Sequence, residues 1–144
     1  MARGLLPGLL LLLLVSAAAS AQQSERAGSS EIHYNAIETT FIPEEVSARL
    51  GLERAPGLGM VTISVLNAHG ESRNVAVNGN LSTLTGSPQP LAFRRVREAS
   101  GGVSSIATFP IDYTGPMRFR LDVQLERNAA PHSVSFIQRF YRDE

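Results

Sequence analysis

The chain has 144 residues, 13 basic and 13 acidic side chains, a formal net charge of zero and no cysteine. A neutral protein has no general electrostatic attraction for nucleic acid or for an anionic membrane surface, so neither is expected as a partner. Without cysteine the chain forms no disulfide and cannot be anchored through a lipidated N-terminal cysteine, so the fold must rely on its hydrophobic core.

The first 21 residues have the features of a cleavable secretory signal peptide. One basic residue, Arg3, precedes an apolar stretch from Leu5 to Val15, and Ala19-Ser20-Ala21 fits the small-x-small pattern that signal peptidase recognises. The apolar stretch is shorter than the roughly 20 residues that a membrane-spanning helix needs. The sequence therefore predicts cleavage after Ala21 and no stable membrane insertion of the trimmed chain.

The composition also indicates the compartment. Every basic residue is arginine and none is lysine, which is typical of a bacterial genome rich in G and C. Small secreted animal domains usually carry disulfides, and this chain has none. Together with the leader, these features predict the periplasm of a Gram-negative bacterium.

The trimmed chain reads as a polar, flexible lead-in over residues 22–30, followed by one domain over residues 31–144. In the first predicted strand, Glu31 to Ile42, Ile32, Tyr34 and Ala36 alternate with polar and apolar neighbours. Pro43-Glu44-Glu45 then begins a helix of one or two turns that ends near Leu50-Gly51, because proline and acids favour a helix start and glycine a helix end.

Turn residues divide the rest of the chain into further short strands. Gly79 lies inside one of them and predicts a bulge. In the clearest strand, which follows Pro116, apolar residues from Phe119 to Leu125 alternate with charged or polar ones. This pattern predicts one buried face and one solvent-exposed face. The remaining predicted strands cover residues 59–66, 74–84, 91–97, 103–111 and 134–141.

This pattern of about seven short strands, one helical insertion and no βαβ rhythm predicts an all-β fold. The expected architecture is a single antiparallel β-sandwich, immunoglobulin-like in plan. The Cys…Trp…Cys signature of true immunoglobulin domains is absent, so only the architecture is inferred. A small closed barrel is the alternative.

Several segments, taken in order, resemble a known family. They are His33-Tyr34-Asn35-Ala36-Ile37-Glu38-Thr39-Thr40-Phe41-Ile42-Pro43, Ile63-Ser64-Val65-Leu66, the run from Pro90 to Glu98, Phe109-Pro110-Ile111-Asp112, and the run from Phe136 to Tyr141. They are similar to the DUF4426 family, exported proteobacterial proteins with no assigned function. The resemblance implies export and a β-rich single domain, and it supplies no catalytic or ligand-binding residues.

The residues give no sign of catalytic, cofactor or metal chemistry. The three histidines, His33, His69 and His132, are far apart, whereas metal sites usually show closely spaced ligands. The chain has no Gly-x-Ser-x-Gly motif, and hairpin formation explains the nearest approach, Ser104-Ser105. We therefore predict no enzyme, no cofactor and no metal site.

Arginine is the first candidate for function. Arg95 and Arg97 lie on one predicted strand and Arg118 and Arg120 on another. If those strands were neighbours, the guanidinium groups could bind a partner's carboxylates or phosphates in bidentate fashion. The alternative is a solvated sheet face on which the arginines pair with nearby acids across strands.

The second candidate is the polar and aromatic segment between His33 and Pro43. Its candidate residues are His33, Tyr34, Asn35, Thr39 and Thr40. The alternative interpretation is an edge strand and corner that place Tyr34 and Phe41 in the core.

We expect a non-enzymatic periplasmic β-sandwich that binds an envelope protein or peptide by a sheet face or an exposed edge. This expectation rests on analogy between folds. One alternative is a small-ligand or anion carrier, which would show a pocket where several guanidinium groups converge. The other is a hydrolase, which would show a serine or aspartate within hydrogen-bond reach of a histidine.

Overall fold

The structure, a computed structural model, describes residues 23–142, and the predicted leader lies outside them. This part of the chain forms ten strands, one α-helix and one 3-10 turn. The helix α1 spans Glu44–Leu50 and the 3-10 turn spans Thr39–Phe41. The strands are β1 Gln23–Ala27, β2 Ser30–Glu38, β3 Leu58–Leu66, β4 Ser72–Arg73, β5 Ala76–Thr83, β6 Gln89–Leu91, β7 Arg94–Arg97, β8 Val103–Pro110, β9 Gly115–Gln124 and β10 His132–Phe140.

The strands form two sheets, and within each sheet neighbouring strands are antiparallel. The first sheet has the order β1-β2-β3-β8-β7, with β4 beside the end of β3, and the second has the order β10-β9-β5-β6. The predicted antiparallel sandwich is therefore confirmed, and the barrel alternative is not the architecture.

The core lies between the sheets, where alternate residues of each strand point inward. Phe119 of β9 stacks on Phe136 of β10, with ring centroids 4.8 Å apart and ring planes at 9°. The ring of Phe109 meets Phe119 edge-on at 5.2 Å. The predicted inward residues are buried as expected, namely Ile32, Tyr34 and Ala36 of β2, Val61, Ile63 and Val65 of β3, and Phe119, Leu121 and Val123 of β9.

The helix α1 covers one end of the outer face of the first sheet. Ile42, Met60 and Ile106 form a second buried cluster beneath it. The helix ends as predicted at Gly51, which takes a left-handed φ of 67° that glycine adopts without strain. Arg94 of β7 donates to the carbonyl oxygens of Leu50 at 2.8 Å and Gly51 at 3.3 Å, so the helix end is tied to the sheet.

The predicted strand 91–97 is in fact two strands in different sheets. Gln89–Leu91 pairs with β5 in the second sheet, and Arg94–Arg97 pairs with β8 in the first. The chain crosses between the sheets at Ala92 and Phe93. Two short strands on either side of such a crossing have the same composition as one longer strand, so the pattern did not reveal it.

The bulge predicted at Gly79 is absent from the described structure, because β5 pairs with β9 without interruption from Ala76 to Thr83. A Cβ atom at Gly79 would lie 2.7 Å from the carbonyl oxygen of Arg120 and 2.8 Å from Cδ2 of Leu121. Glycine is needed here because the neighbouring strand approaches closely.

Two further expectations require correction. Residues 23–27, expected in a flexible lead-in, form β1 and pair with β2. The strand was missed because its residues are mostly exposed and lack apolar alternation. Phe41, placed in the core by one interpretation, is 76% exposed, and the neighbouring Ile42 is buried under α1 instead.

Candidate functional site

Within residues 23–142, β1 covers only part of the edge of β2. β1 pairs with residues 30–34 of β2, whereas β3 pairs with residues 31–38 on the other side. Within residues 23–142, the segment Asn35–Glu38 therefore has a strand partner on one side only. Unpaired N–H and C=O groups on a strand edge can accept a further strand.

The other end of the same side is closed. The ring of Tyr34 packs against Phe136 of the second sheet, with centroids 4.9 Å apart. Glu25 Oε2 lies 2.5 Å from Nε2 of His132, so β1 is joined to β10 across the sandwich. Within the described residues, the uncovered part of β2 is therefore residues 35–38, at the end beyond Gln23.

Beside residues 36–38 of β2 lies a mostly apolar cavity, here called the edge cleft, with a volume of about 540 Å³. Phe41 and Tyr141, 76% and 65% exposed, stand at its two sides. Pockets of this size are in the range of ligand-binding sites. The edge cleft is lined by Ala36, Ile37, Glu38, Thr40, Phe41, Pro56, Gln138, Arg139, Phe140 and Tyr141.

The wall that carries Phe41 is fixed by hydrogen bonds beneath it. The hydroxyl of Thr39, a fully buried residue, accepts from the backbone N–H of Ala55 at 3.0 Å and donates to the Ala55 carbonyl at 3.1 Å. Arg54 donates to the carbonyl of Thr40 at 2.8 Å. The exposed ring of Phe41 is therefore held on an anchored turn.

The edge cleft carries little net charge. Glu38 and Arg139 are the charged residues of its lining. The backbone N–H of Gly57 donates to Glu38 Oε2 at 3.4 Å. At the closed end, burial, together with the negative charge of Glu25, raises the pKa of Tyr34 above its ordinary value. The cleft can therefore bind through apolar contact and backbone hydrogen bonds more readily than through ionic attraction.

The predicted segment is divided between two faces of the molecule. Tyr34 is in the core and Thr39 is buried under the turn, so both serve the fold. Thr40 lines the edge cleft. His33 and Asn35 lie on the outer face of the first sheet, opposite Ser64 and Thr62 of β3.

The four predicted arginines do not lie on neighbouring strands. Arg95 and Arg97 are on β7 of the first sheet, and Arg118 and Arg120 are on β9 of the second. Arg120 Nε lies 3.8 Å from Asp122 Oδ1 on the exposed face of β9, a pair within one strand and not across strands.

A different set of arginines shares one surface groove. The groove lies between the last turn of α1 and β7, has a volume of about 520 Å³ and contains Arg49, Arg94, Arg95, Arg97 and Glu98; we call it the arginine groove. Sequence reasoning did not single out Arg49, and only the packing of α1 against β7 reveals its proximity. In the described range, none of these four arginines belongs to an ion pair.

Other kinds of site find less support among residues 23–142. No group of three or more histidine, cysteine, aspartate or glutamate side chains there is placed to hold a metal ion. The hydrogen bonds and ion pairs of this range include none between a histidine ring and a serine hydroxyl or an aspartate carboxylate, the mark of the hydrolase alternative. None of its helices has the length and hydropathy to cross a membrane.

Fold and cleft together define a two-sheet antiparallel β-sandwich domain in which, among the described residues, residues 35–38 of β2 form an unpaired edge beside a cavity. The chain belongs to the DUF4426 family, since the model described as "Domain of unknown function (DUF4426)" matches residues 24–143. The resemblance found in the sequence is thus confirmed.

A solved structure supports the same assignment. The crystal structure of a DUF4426 family protein from Pseudomonas aeruginosa PAO1 is similar with a TM-score of 0.73 and 30% sequence identity, covering 85% of this chain and 97% of that one. Comparison with curated proteins finds no match.

Proposed function

We propose that the protein is an exported, non-enzymatic module of the bacterial envelope that binds an extended peptide segment of another protein in the edge cleft. The observation that carries this proposal is the strand edge Asn35–Glu38, which has a partner on one side only within the described residues and lies beside an apolar cavity. Addition of a strand to a sheet edge is a common mode of peptide recognition.

The geometry suits a short extended segment in line with β1. Four residues of β2, 35–38, lie beyond Gln23, the first residue of β1. A strand rises about 3.3 Å per residue, so the uncovered edge is about 13 Å long. Backbone hydrogen bonds to Asn35–Glu38 would supply affinity that does not depend on the peptide's side chains.

Side chains of the peptide would provide the selectivity. Alternate residues of an added strand point toward the core, where Ala36 and Phe140 are buried, and toward solvent. An apolar residue at the inward positions would fill the cleft between Phe41 and Tyr141. The favoured peptide therefore has apolar residues at every second position.

Removal of the leader fits this mode of binding. Gln23 pairs with Tyr34, so the position before Gln23 falls beside Asn35 if β1 is extended. Cleavage after Ala21 would leave only Gln22 to occupy that position. The edge of residues 36–38 would then be available to a partner in the trimmed chain.

Hydrogen exchange of the trimmed protein, residues 22–144, tests the proposal. The probe is a soluble octapeptide in which leucine and serine alternate, and the control is the same peptide with N-methylated backbone nitrogens. We expect the alternating peptide to slow exchange of the amides of Asn35–Glu38. The N-methylated peptide should slow this exchange far less, because it keeps the side chains while its methyl groups remove its N–H donors and sterically block the approach of its carbonyl oxygens to the strand edge.

Matched variants locate the binding surface. Phe41→Ser and Tyr141→Ser should each weaken binding of the alternating peptide, whereas Leu84→Ser, which alters an exposed apolar residue between β5 and β6, should not. Equal binding of both peptides, or protection of β10 without protection of Asn35–Glu38, would contradict strand addition at β2.

Export has its own test. The full-length chain, expressed in a Gram-negative host, should be recovered from the periplasmic fraction with a mass that begins at Gln22. An intact mass that includes Met1, or recovery only from the cytoplasm, would contradict export and leave the peptide test unaffected.

Anion binding is a second candidate, favoured by the arginine groove. Arg49, Arg94, Arg95 and Arg97 line it with a single carboxylate, that of Glu98. Arginine binds phosphate and carboxylate groups in bidentate fashion. Unlike the combination expected from sequence, these four arginine residues line one groove, so it is the place where a small anion would bind.

A further inference from the structure

The end of the first sheet that α1 leaves uncovered holds a polar groove of about 510 Å³. Serine is its commonest lining residue, and we call it the serine groove. It lies on the outer face of the sheet, shares no lining residue with the edge cleft and shares Glu98 with the arginine groove. Its walls consist of His33, Ser64, Leu66, Gly70, Ser72, Glu98, Ser100, Gly102, Val103 and Ser104.

Three of these side chains form a row across adjacent strands. His33 of β2 is directly opposite Ser64 of β3. The hydroxyl oxygens of Ser64 and Ser104 of β8 are 3.3 Å apart, and Ser104 donates to Glu98 Oε2. The row therefore ends on a carboxylate.

The direction of the hydrogen bonds follows from the number of protons. The Ser104 hydroxyl has one proton, and the ionised carboxylate of Glu98 can only accept. Ser104 thus donates a hydrogen bond to Glu98 and accepts one from Ser64. The protons of both serines are in this way directed toward Glu98 and away from His33.

His33, at the other end of the groove, takes no part in these hydrogen bonds. Its Nε2 is buried and has no hydrogen-bond partner among the described residues, and the closest acid oxygen, Oε1 of Glu31, is 3.6 Å away. A buried polar atom without a partner is costly and uncommon in folded proteins. A ligand in the groove that carries a hydroxyl group could supply this partner.

The charge of the serine groove indicates which donor fits. Its lining contains Glu98 and no lysine or arginine. Among the described residues, the hydrogen bonds of the Glu98 carboxylate use Oε2 alone, so Oε1 can accept from a ligand. A carboxylate beside several hydroxyls suits an ammonium group next to hydroxyl groups.

We propose that the serine groove binds a small, soluble, hydroxylated primary amine, that is, an amino alcohol or an amino sugar. The ammonium group donates to Glu98, and the hydroxyl groups of the ligand bond to the serines. A further hydroxyl group of the ligand bonds to Nε2 of His33, the buried atom that has no partner among the described residues.

The test titrates the trimmed protein with matched pairs of probes, followed by amide chemical shifts. Ethanolamine is compared with ethylene glycol, and glucosamine with glucose, so that each pair differs in the amino group. We expect the amines to bind about tenfold tighter than the neutral compounds, with shifts at Ser64, Glu98 and Ser104. Equal affinity within both pairs, or no binding of either amine, would overturn the proposal.

Variants separate recognition of charge from general effects on the fold. Glu98→Gln should lower amine affinity about tenfold, because it replaces a charge-assisted hydrogen bond with a neutral one. Glu126→Gln, an exposed change in the connection between β9 and β10, serves as the control and should leave affinity unchanged. Unchanged amine affinity in Glu98→Gln would overturn the assignment of the ammonium site.

Ser104→Ala provides a second variant if Glu98→Gln fails to fold. It keeps the carboxylate and removes one hydroxyl, so the amines should still bind, but more weakly than to the unaltered protein. Contact of the ligand with His33 is read from the imidazole nitrogens in histidine-labelled protein, with His69 and His132 as internal references. Unchanged amine affinity in Ser104→Ala, or glucosamine binding without a nitrogen shift at His33 in the unaltered protein, would contradict the proposed contacts.

Discussion

The hydroxyl of Thr39 bonds to both backbone polar groups of Ala55, accepting from its N–H at 3.0 Å and donating to its C=O at 3.1 Å. Sixteen positions separate the two residues in sequence. This pair of bonds joins the end of β2 to the segment that enters β3. The position of Phe41 at the edge cleft depends on it.

Thr39→Val should therefore destabilise the protein. The two side chains are similar in shape, but valine leaves the N–H and C=O of Ala55 without their partner in a buried place. We expect the free energy of unfolding in urea to fall by about 2 kcal/mol. Thr39→Ser keeps the hydroxyl and should lose less than half as much. If both variants lose the same amount, the methyl group, and not the hydroxyl, is what matters.

Gly79→Ala should lower the stability of the fold more than the addition of one methyl group usually does. The added Cβ would lie 2.7 Å from the carbonyl oxygen of Arg120, which belongs to the paired backbone of β9 and cannot swing away. Chemical denaturation should show a loss of about 1–3 kcal/mol. Gly102→Ala is the control, because its closest neighbour is the Cβ of Ser72 at 3.3 Å and its φ is not positive. Equal losses at the two glycines would contradict the close approach of β9.

Alkaline pH should weaken the fold through Tyr34. Burial and the carboxylate of Glu25 raise the pKa of Tyr34 above its ordinary value of 10.0, so the folded protein favours the neutral phenol. This contribution to stability is fully present below pH 10 and is lost as the pH rises through the raised value. The free energy of unfolding should thus fall above pH 10, and less steeply in Tyr34→Phe.

The control for this pH dependence is Tyr141→Phe, which alters a ring that is mostly in solvent. Its stability should follow the same alkaline decline as the unaltered protein. If Tyr34→Phe also keeps the full decline, the loss of stability comes from another group.

Binding to the arginine groove can be measured with inorganic pyrophosphate. Arg49→Gln and Arg95→Gln should each reduce its affinity about tenfold, and added salt should weaken binding in the unaltered protein. Arg118→Gln removes a guanidinium from the other sheet and should have no effect. A similar loss in all three variants would indicate a general effect of charge and contradict a local site.

The sequence predicted those parts of the fold in which side-chain alternation reports burial. The strand that contains Phe119 is buried on one face and polar on the other, and in the strand that contains Val61 the buried residues alternate with Thr62 and Ser64, so a period of two was visible in both. The start of α1 and its end at Gly51 were predicted equally well, because proline, acids and glycine act locally there.

Long-range features were not predictable in the same way. Alternation does not say which strand lies beside which, so the separation of Arg97 from Arg118 could not be foreseen. Phe41 is as apolar as the residues of the core, and its exposure follows from the turn at Thr39, which directs Ile42 inward. The row from His33 to Glu98 needs the order β2-β3-β8 and was missed for the same reason.

The short β1 has a practical consequence for handling the molecule. Gln23 stands next to the open edge of β2, and Tyr141 stands at the opposite wall of the same cleft. An affinity tag or fluorophore fused before Gln23 or after Arg142 would therefore crowd the place where a partner is expected. Since the chain contains no cysteine, a single cysteine introduced at Asn128, in the exposed connection between β9 and β10, gives a unique handle for immobilisation and labelling.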